Sequence, residues 1–506
     1  MNTNTRKNIM IVAIFTVVSK IIAIIRQMVL TYFFGASSIT DAYILSQSIP
    51  NTLFLLISTA IAVSYIPVFN KAKKEKGKSE AELFTSRVIN AVLIISSFIV
   101  LITLFFSKSI ILLFASGFDQ PTVLLAASYL RISIFSIYFI GMCGVLSSYL
   151  KIKGEYLAPS IIGIALSVVE IVSCVIAYFF GDVMLAVGVT IAAFAQFLIV
   201  LFFSLKYGYR HKITFSFRDK YFKQAILMAF PVMVGLGIDE INVIVDRNIA
   251  SSFPAGSISA LNYSNTIVTI IHNIISVSMY TVLFTDVSKL ASENNKEEVA
   301  KRIQNSLSGA LLFLIPATIG LILFSEPIVE ILYERGSFTH ESTLITSSAM
   351  IFYSLYVIPN GVRLLVQSYF YAYGKTKTCM YVGILGVITN IVLNIILSQI
   401  MGINGLALST SLGILLAAIV LFVLLIKSNI GVSVKILSKQ FFVVFVNSSV
   451  MGIMSYGLYI VLMEKINILF ALLISVTFGL VIYLIMSIFT RTFNTKILST
   501  ILKRRG

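Results

Sequence analysis

The chain has 506 residues, of which 58% are hydrophobic and only 12% charged, about half the charge of an ordinary soluble domain. Apolar runs longer than the roughly 18 residues that a crossing requires recur from end to end, which excludes a large soluble protein. The net charge of +17 does not indicate nucleic acid, because the cations sit in short segments between apolar runs and form no basic domain.

A window of about 20 residues yields about fourteen spans. They fall near 9–34, 41–69, 86–106, 121–149, 157–179, 183–206, 222–252, 258–288, 304–324, 342–374, 378–399, 404–426, 440–463 and 467–490. The first run is interrupted by Lys20 and Arg26 and lacks an A-x-A cleavage pattern, so it reads as a retained span and not a signal peptide. Lys71, Lys73, Lys74, Lys76 and Lys78 follow span 2, Lys151 and Lys153 follow span 4, and Arg210, Lys212 and Arg218 follow span 6. Basic residues likewise follow spans 8, 10, 12 and 14, whereas the intervening loops nearly lack them. By the positive-inside rule both termini are cytoplasmic.

The chain also repeats itself. AVSYIPVFNKAKKEKGKSE (Ala62–Glu80) resembles SMYTVLFTDVSKLASENNKE (Ser278–Glu297), and ILLFASGFD (Ile111–Asp119) resembles ILYERGSFT (Ile331–Thr339). The offset pairs span 1 with span 7, an even number of crossings, so the two halves point the same way and are related by an axis along the membrane normal. The expected architecture is an all-α polytopic membrane protein with two pseudo-symmetric six-helix lobes, residues 1–215 and 216–430. Two further spans and a basic tail occupy residues 431–506.

Charge within lipid costs at least about 2.5 kcal/mol per group, so charged residues inside spans face protein or water. On span 1, Lys20 and Arg26 lie about 120° apart around a helix and ~9 Å apart along it, within reach of one wide cavity. They read as an anion site for phosphate. Span 7 carries Asp239, Glu240, Asp246 and Arg247, some of which are expected to pair with the span 1 cations. Pro359-Asn360-Gly361 followed by Arg363 breaks span 10, which marks a binding site or hinge. Pro50-Asn51 breaks span 2 in the same manner. Arg131 and Glu170, on consecutive spans, read as a structural ion pair.

Catalytic signatures are lacking. There is no GxSxG, Walker or HExxH motif. His211, His272 and His340 are far apart in sequence, as are Cys143, Cys174 and Cys379, so neither zinc nor a disulfide framework is indicated. An ion gradient or the membrane potential is left as the energy source, with no cofactor.

At SKIIAIIRQMVLTYFFGASSITDAYILSQSIPN (Ser19–Asn51), IVDRNIASSFPAGSISALNYSN (Ile244–Asn265), ILYERGSFTHEST (Ile331–Thr343) and YAYGKTKT (Tyr371–Thr378), the chain resembles the MurJ (MviN) lipid II flippases of the MOP exporter superfamily. The resemblance runs through spans 1–12 and implies a two-lobe fold, alternating access, and two extra helices that hold an undecaprenyl tail. It implies lipid-linked glycan and membrane lipids as partners, with cell-wall synthesis proteins, around a monomer. Arg26 and Asp41 match family cavity residues, and Lys20 stands where the family usually has Arg. Gln27, the apolar region near Phe54 and Thr266 depart from it. The resemblance also implies sodium coupling through Asp246, Asn390, Asn394 and Thr410, with Asn390 and Asn394 on one helix face. The resulting substrate-binding set is Lys20, Arg26, Asp41, Asn51, Arg247 and Arg363, with Pro50, Pro359 and Gly361 as hinges. Flipping of lipid II is the leading function. The alternatives are flipping of another undecaprenyl-linked glycan, for capsule, teichoic acid or exopolysaccharide, and cation-coupled multidrug antiport.

Overall fold

The computed structural model describes residues 3–214 and 219–492, with backbone alone at 3–14, 55–63, 230–232, 234–236 and 238–239. The side chains of Arg6, Lys7, Arg218 and Asp239 and the tail cations from Lys496 onward lie outside the described residues. Sixteen α-helices and no strand occur among the described residues. They are α1 (Thr3–Phe34), α2 (Ser38–Phe114), α3 (Gln120–Ser133), α4 (Ser136–Ile152), α5 (Leu157–Phe180), α6 (Val183–Lys206), α7 (Lys220–Ala250) and α8 (Ser257–Ser292). The remainder are α9 (Lys296–Leu323), α10 (Ser325–Tyr333), α11 (His340–Ser354), α12 (Val357–Ala372), α13 (Thr376–Met401), α14 (Ile403–Lys427), α15 (Val434–Met463) and α16 (Ile468–Phe489).

Every expected span falls on helix. Among the described residues, 11 helices are long and apolar enough to cross a membrane, and the bent pair α3–α4 makes a twelfth. Expected spans 2 and 7 fall outside that count because they run through side chains outside the described residues, at 55–63 and within 230–239. Spans 2 and 3 are joined in α2, which continues through the lysine-rich segment with a break at Gly77 (φ 86°, ψ 178°) and another at Phe106. Span 7 is α7, whose second half carries Glu240, Asp246 and Arg247.

Two compact units divide the chain. The first is Met1–Ser259 with Arg335–Phe338, and the second is Ala260–Glu334 with Thr339–Gly506. Helix α7 therefore makes its contacts in the first unit, along α2. The core of that unit gathers Phe54, Tyr65, Phe69, Phe84, Tyr149 and Tyr209. In the second unit α13 packs on α14, and α15 packs on α9 and α16. Leu311, Leu312, Ile315, Val444, Met451 and Tyr483 are buried together there.

The internal repeat reappears in backbone detail within each unit. In the first, the helix stops at Ser133 and resumes at Ser136, bent by 43°; in the second, it stops at Ser354 and resumes at Val357. The carbonyls freed at these breaks are taken by hydroxyls of matching helices. Thr190 Oγ1 on α6 donates to Ile132 O at 2.9 Å, and Ser411 Oγ on α14 donates to Phe352 O at 2.6 Å. Phe106 and Phe324 interrupt their helices with nearly the same torsions, φ −111° with ψ 22° and φ −104° with ψ 20°. Gly141 and Gly361 both sit where a Cβ would strike a neighbouring helix, at Val92 and Phe54 in one unit and at Leu314 and Ser276 in the other.

Candidate functional site

Proline explains three local features of the spans. An internal proline has no N–H for the carbonyl four residues earlier, and its ring crowds that carbonyl. Pro359 lies in the first turn of α12, and the break it causes falls at Leu355–Tyr356, before the Pro-Asn-Gly segment itself. Pro50 leaves α2 continuous. The carbonyl it frees, Ser46 O, accepts from Ser133 Oγ at 2.8 Å, at the end of α3. Pro316 in α9 frees Leu312 O, which accepts from Tyr483 of α16 at 2.7 Å.

In the first unit Arg26 pairs with Glu170 of α5, whose other oxygen accepts from Gln47 Nε2 of α2 at 2.7 Å. Glu170 is 2% exposed and Arg26 29%. This corrects the expected Arg131–Glu170 pair: Arg131 Nε donates instead to Ser107 Oγ at 2.8 Å. Spans 4 and 5 do not pack along each other, because α5 lies along α1 and α6 while α3 lies along α2 and α6. Of the span 7 acids, Glu240 accepts from Thr52 Oγ1 of α2 at 2.8 Å, and the side chain of Asp239 lies outside the described residues. Asp246 and Arg247 are half-buried on α7, and Asn51 is exposed.

Lys20 is exposed and lines a cavity of about 400 Å³ with Ser19, Lys151, Tyr156 and Ser160. The two span 1 cations thus have different surroundings. Asp41 is buried. Its carboxylate accepts the backbone N–H groups of Gly256 and Ser259, both at 2.7 Å, and the Ser259 hydroxyl. It therefore holds the segment that starts α8, satisfying donors that the first turn of a helix leaves open.

In the second unit α13 and α14 bring three expected residues together. Asn390 Nδ2 donates to Thr410 Oγ1 at 3.2 Å, Asn394 Nδ2 donates to Asn390 Oδ1 at 2.9 Å, and Ser409 donates to Asn394 Oδ1. Ser409 is an addition the sequence reading missed. Its position one residue before Thr410 gave no periodic signal. Arg363 is half-buried and donates through Nε and Nη2 to Asn360 Oδ1, at 3.2 and 2.9 Å. A second omission is the polar face of α8. Asn265, Thr269, His272 and Ser276 recur at spacings of four, three and four, which was legible as one helix face.

Residues 30–497 match the family described as lipid II flippase MurJ. The chain belongs to the MurJ lipid II flippase family. A lipid II flippase MurJ from Thermosipho africanus is 29% identical over 477 residues, covering 94% of each chain. A probable lipid II flippase MurJ from Thermotoga maritima is 28% identical over 442 residues, covering 86% of this chain and 87% of its own length. Among solved structures, a lipid II flippase MurJ in an inward closed conformation superposes with a TM-score of 0.83 at 28% identity, covering 95% of this chain and 99% of that one. An inward-facing multidrug resistance MATE family transporter of the MOP superfamily superposes with a TM-score of 0.71 at 16% identity, covering 83% and 96%. The latter likeness is one of fold. Membership in the MurJ family makes the chain a multi-pass bacterial membrane protein of a transporter family.

Proposed function

We propose that the chain moves lipid II, the undecaprenyl-pyrophosphate-linked peptidoglycan precursor, from the inner to the outer leaflet of the plasma membrane. The observation that carries this reading is the match to MurJ proteins over nearly the whole length, in sequence and in fold together. Alternating access exposes the polar interior to one leaflet at a time, and the precursor leaves chemically unchanged. Lys20, Asn51, Arg247 and Arg363 contact the headgroup. Arg26 and Asp41, engaged by Glu170 and by the Gly256–Ser259 backbone, position the helices around it. The energy comes from the membrane potential or from sodium bound near Asp246, Asn390, Asn394 and Thr410. The chain works as a monomer with both termini in the cytoplasm, beside cell-wall synthesis proteins.

The test is complementation. Expressed in a bacterium depleted of its own lipid II flippase, the chain should restore growth and the appearance of lipid II in the outer leaflet. Normal membrane insertion with no outer-leaflet lipid II would refute the proposal.

A further inference from the structure

The connector that leaves α6 carries charge that the protein does not compensate. Residues 206–214 hold Lys206, Arg210 and Lys212 and no Asp or Glu. All three cations are exposed, and none makes an ion pair among the described residues. Carboxylates that touch the connector or the start of α7 are engaged by other groups. Arg87 takes both Asp219 and Glu80 at 2.8 Å. Glu155 accepts from Tyr207 OH at 2.7 Å and from the Leu157 N–H at the start of α5.

The same connector displays an apolar side chain. The Thr214 N–H donates to Lys212 O at 2.9 Å, a bond that closes a three-residue turn with Ile213 at its apex. Asn90 Nδ2 of α2 donates to Lys212 O and Thr214 O, at 3.2 and 2.8 Å. The Lys212 N–H donates to Ser86 Oγ at 3.2 Å. Tyr209 is buried, and its OH lies 2.9 Å from His211 Nδ1. The backbone is thus clamped on α2, yet Ile213 is left 95% exposed. Single exposed apolar residues are ordinary. One held at the apex of a clamped turn, between cations, is a presented group.

Its surroundings say to what. Helix α6 is apolar enough to span and ends at Lys206, with Phe202 and Leu205 exposed on its last turns. On α2, Ile94, Ile95 and Phe98 are exposed in the same way. Asn90 precedes Ile94 by four residues, about 6 Å along the helix. These apolar faces belong against acyl chains, so the connector runs where acyl chains give way to headgroups. Tyr207, 38% exposed, suits that level in a chain without Trp, since aromatic rings with a polar tip gather there.

An apolar group flanked by Lys and Arg at this depth is an interfacial anchor: the apolar group enters the acyl boundary while the cations meet lipid phosphates. The geometry points to a docking surface at 206–214 for anionic phospholipids, with Ile213 inserted among the acyl chains and Lys206, Arg210 and Lys212 on the headgroups. The lipids concerned are those of the surrounding leaflet and not the transported molecule. An acidic protein would satisfy the cations but would leave Ile213 unexplained at the level of the bilayer surface. The inference therefore stands whatever the chain transports.

The test places a probe at the apex. Full-length Ile213→Cys is labelled with an environment-sensitive fluorophore and reconstituted in phosphatidylcholine vesicles with and without phosphatidylglycerol. Cys143, Cys174 and Cys379 are buried, and the chain without the added cysteine sets the background. The probe should be quenched by brominated lipid and shielded from iodide present on both sides of the membrane, and more so with phosphatidylglycerol. Each Lys or Arg at an anionic surface strengthens the attraction about fivefold. Lys206→Gln, Arg210→Gln and Lys212→Gln together should therefore abolish the dependence on phosphatidylglycerol, as should high salt with the cations intact. Asn90→Ala releases the turn while keeping every charge, and should weaken bromolipid quenching. Thermal unfolding of each variant verifies the fold. A probe open to iodide and untouched by bromolipid in both vesicles overturns the anchor and assigns the cations to an acidic protein. Bromolipid quenching that is equal with and without phosphatidylglycerol overturns the anionic-lipid contact.

Discussion

The Tyr483 hydroxyl donates to the Leu312 carbonyl at 2.7 Å, the carbonyl that Pro316 leaves without its helical partner. A tyrosine on α16 thereby completes the backbone of α9. In lipid no water can take that role. Tyr483→Phe should lower stability by about 1 kcal/mol, the scale of a hydrogen bond between membrane helices. In a Pro316→Ala background, the alanine supplies the missing N–H, and the same substitution should cost almost nothing. A double-mutant cycle on thermal unfolding in detergent measures the difference. Equal losses in both backgrounds would show that the hydroxyl serves another purpose.

The same logic applies where the helices stop. Ser411 holds Phe352 O and Thr190 holds Ile132 O, each at the break within a span. Ser411→Ala and Thr190→Ala should each destabilise their own unit by about 0.5–1.5 kcal/mol. Ser411→Thr keeps the donor and should be nearly silent. Limited proteolysis at the two breaks reads the effect locally.

Spans, loop charges and the repeat were legible because lipid imposes length and apolarity, and because charge marks the loops. The pairings were not. Consecutive spans suggest Arg131 as the partner of Glu170, yet small residues also pack helices that are far apart in the chain, as with Gly163 of α5 against Ser19 of α1. Pro359 was legible as a break, but its location at Leu355 follows from the missing bond four residues back. Asp41 showed as a charge at the start of a span. Its partners, the Gly256 and Ser259 backbone, lie more than two hundred residues away, and no local pattern encodes them.

Asp41 gives a further prediction. Its carboxylate takes two backbone donors and a hydroxyl at the start of α8. Asp41→Ala leaves those donors buried and open, at a cost of about 1–3 kcal/mol, while Asp41→Asn keeps an acceptor and should lose less. Hydrogen exchange at residues 256–259 should accelerate in the Ala variant. Unchanged protection there would remove the capping role.

Loop charge makes a prediction about topology. Reporter fusions at Lys76 and Arg210 should read as cytoplasmic and one at Gly402 as external, because lysine and arginine are retained on the inner side. The reverse pattern would invert the orientation and exchange the inner and outer ends of every span.

The Arg26–Glu170 pair decides what the charge on the first span does. Glu170 is buried, Arg26 is largely so, and Gln47 takes the second carboxylate oxygen, so the three tie α1, α2 and α5 together. Removing one partner of a buried pair leaves a charge uncompensated, and with Arg26 partly exposed the cost should be about 1–3 kcal/mol. Arg26→Met alone and Glu170→Met alone should therefore reduce the folded protein in the membrane. The double variant Arg26→Met, Glu170→Met replaces the pair by apolar volume and should recover stability to within about 1 kcal/mol of wild type. Transport by the double variant is then informative, because stability no longer limits it. If Arg26 positions helices, as its engagement by Glu170 indicates, lipid II export in a flippase-depleted strain should return to more than half the wild-type rate at matched membrane levels. A stable double variant that exports nothing would mean that Arg26 leaves Glu170 during the cycle and binds the substrate itself.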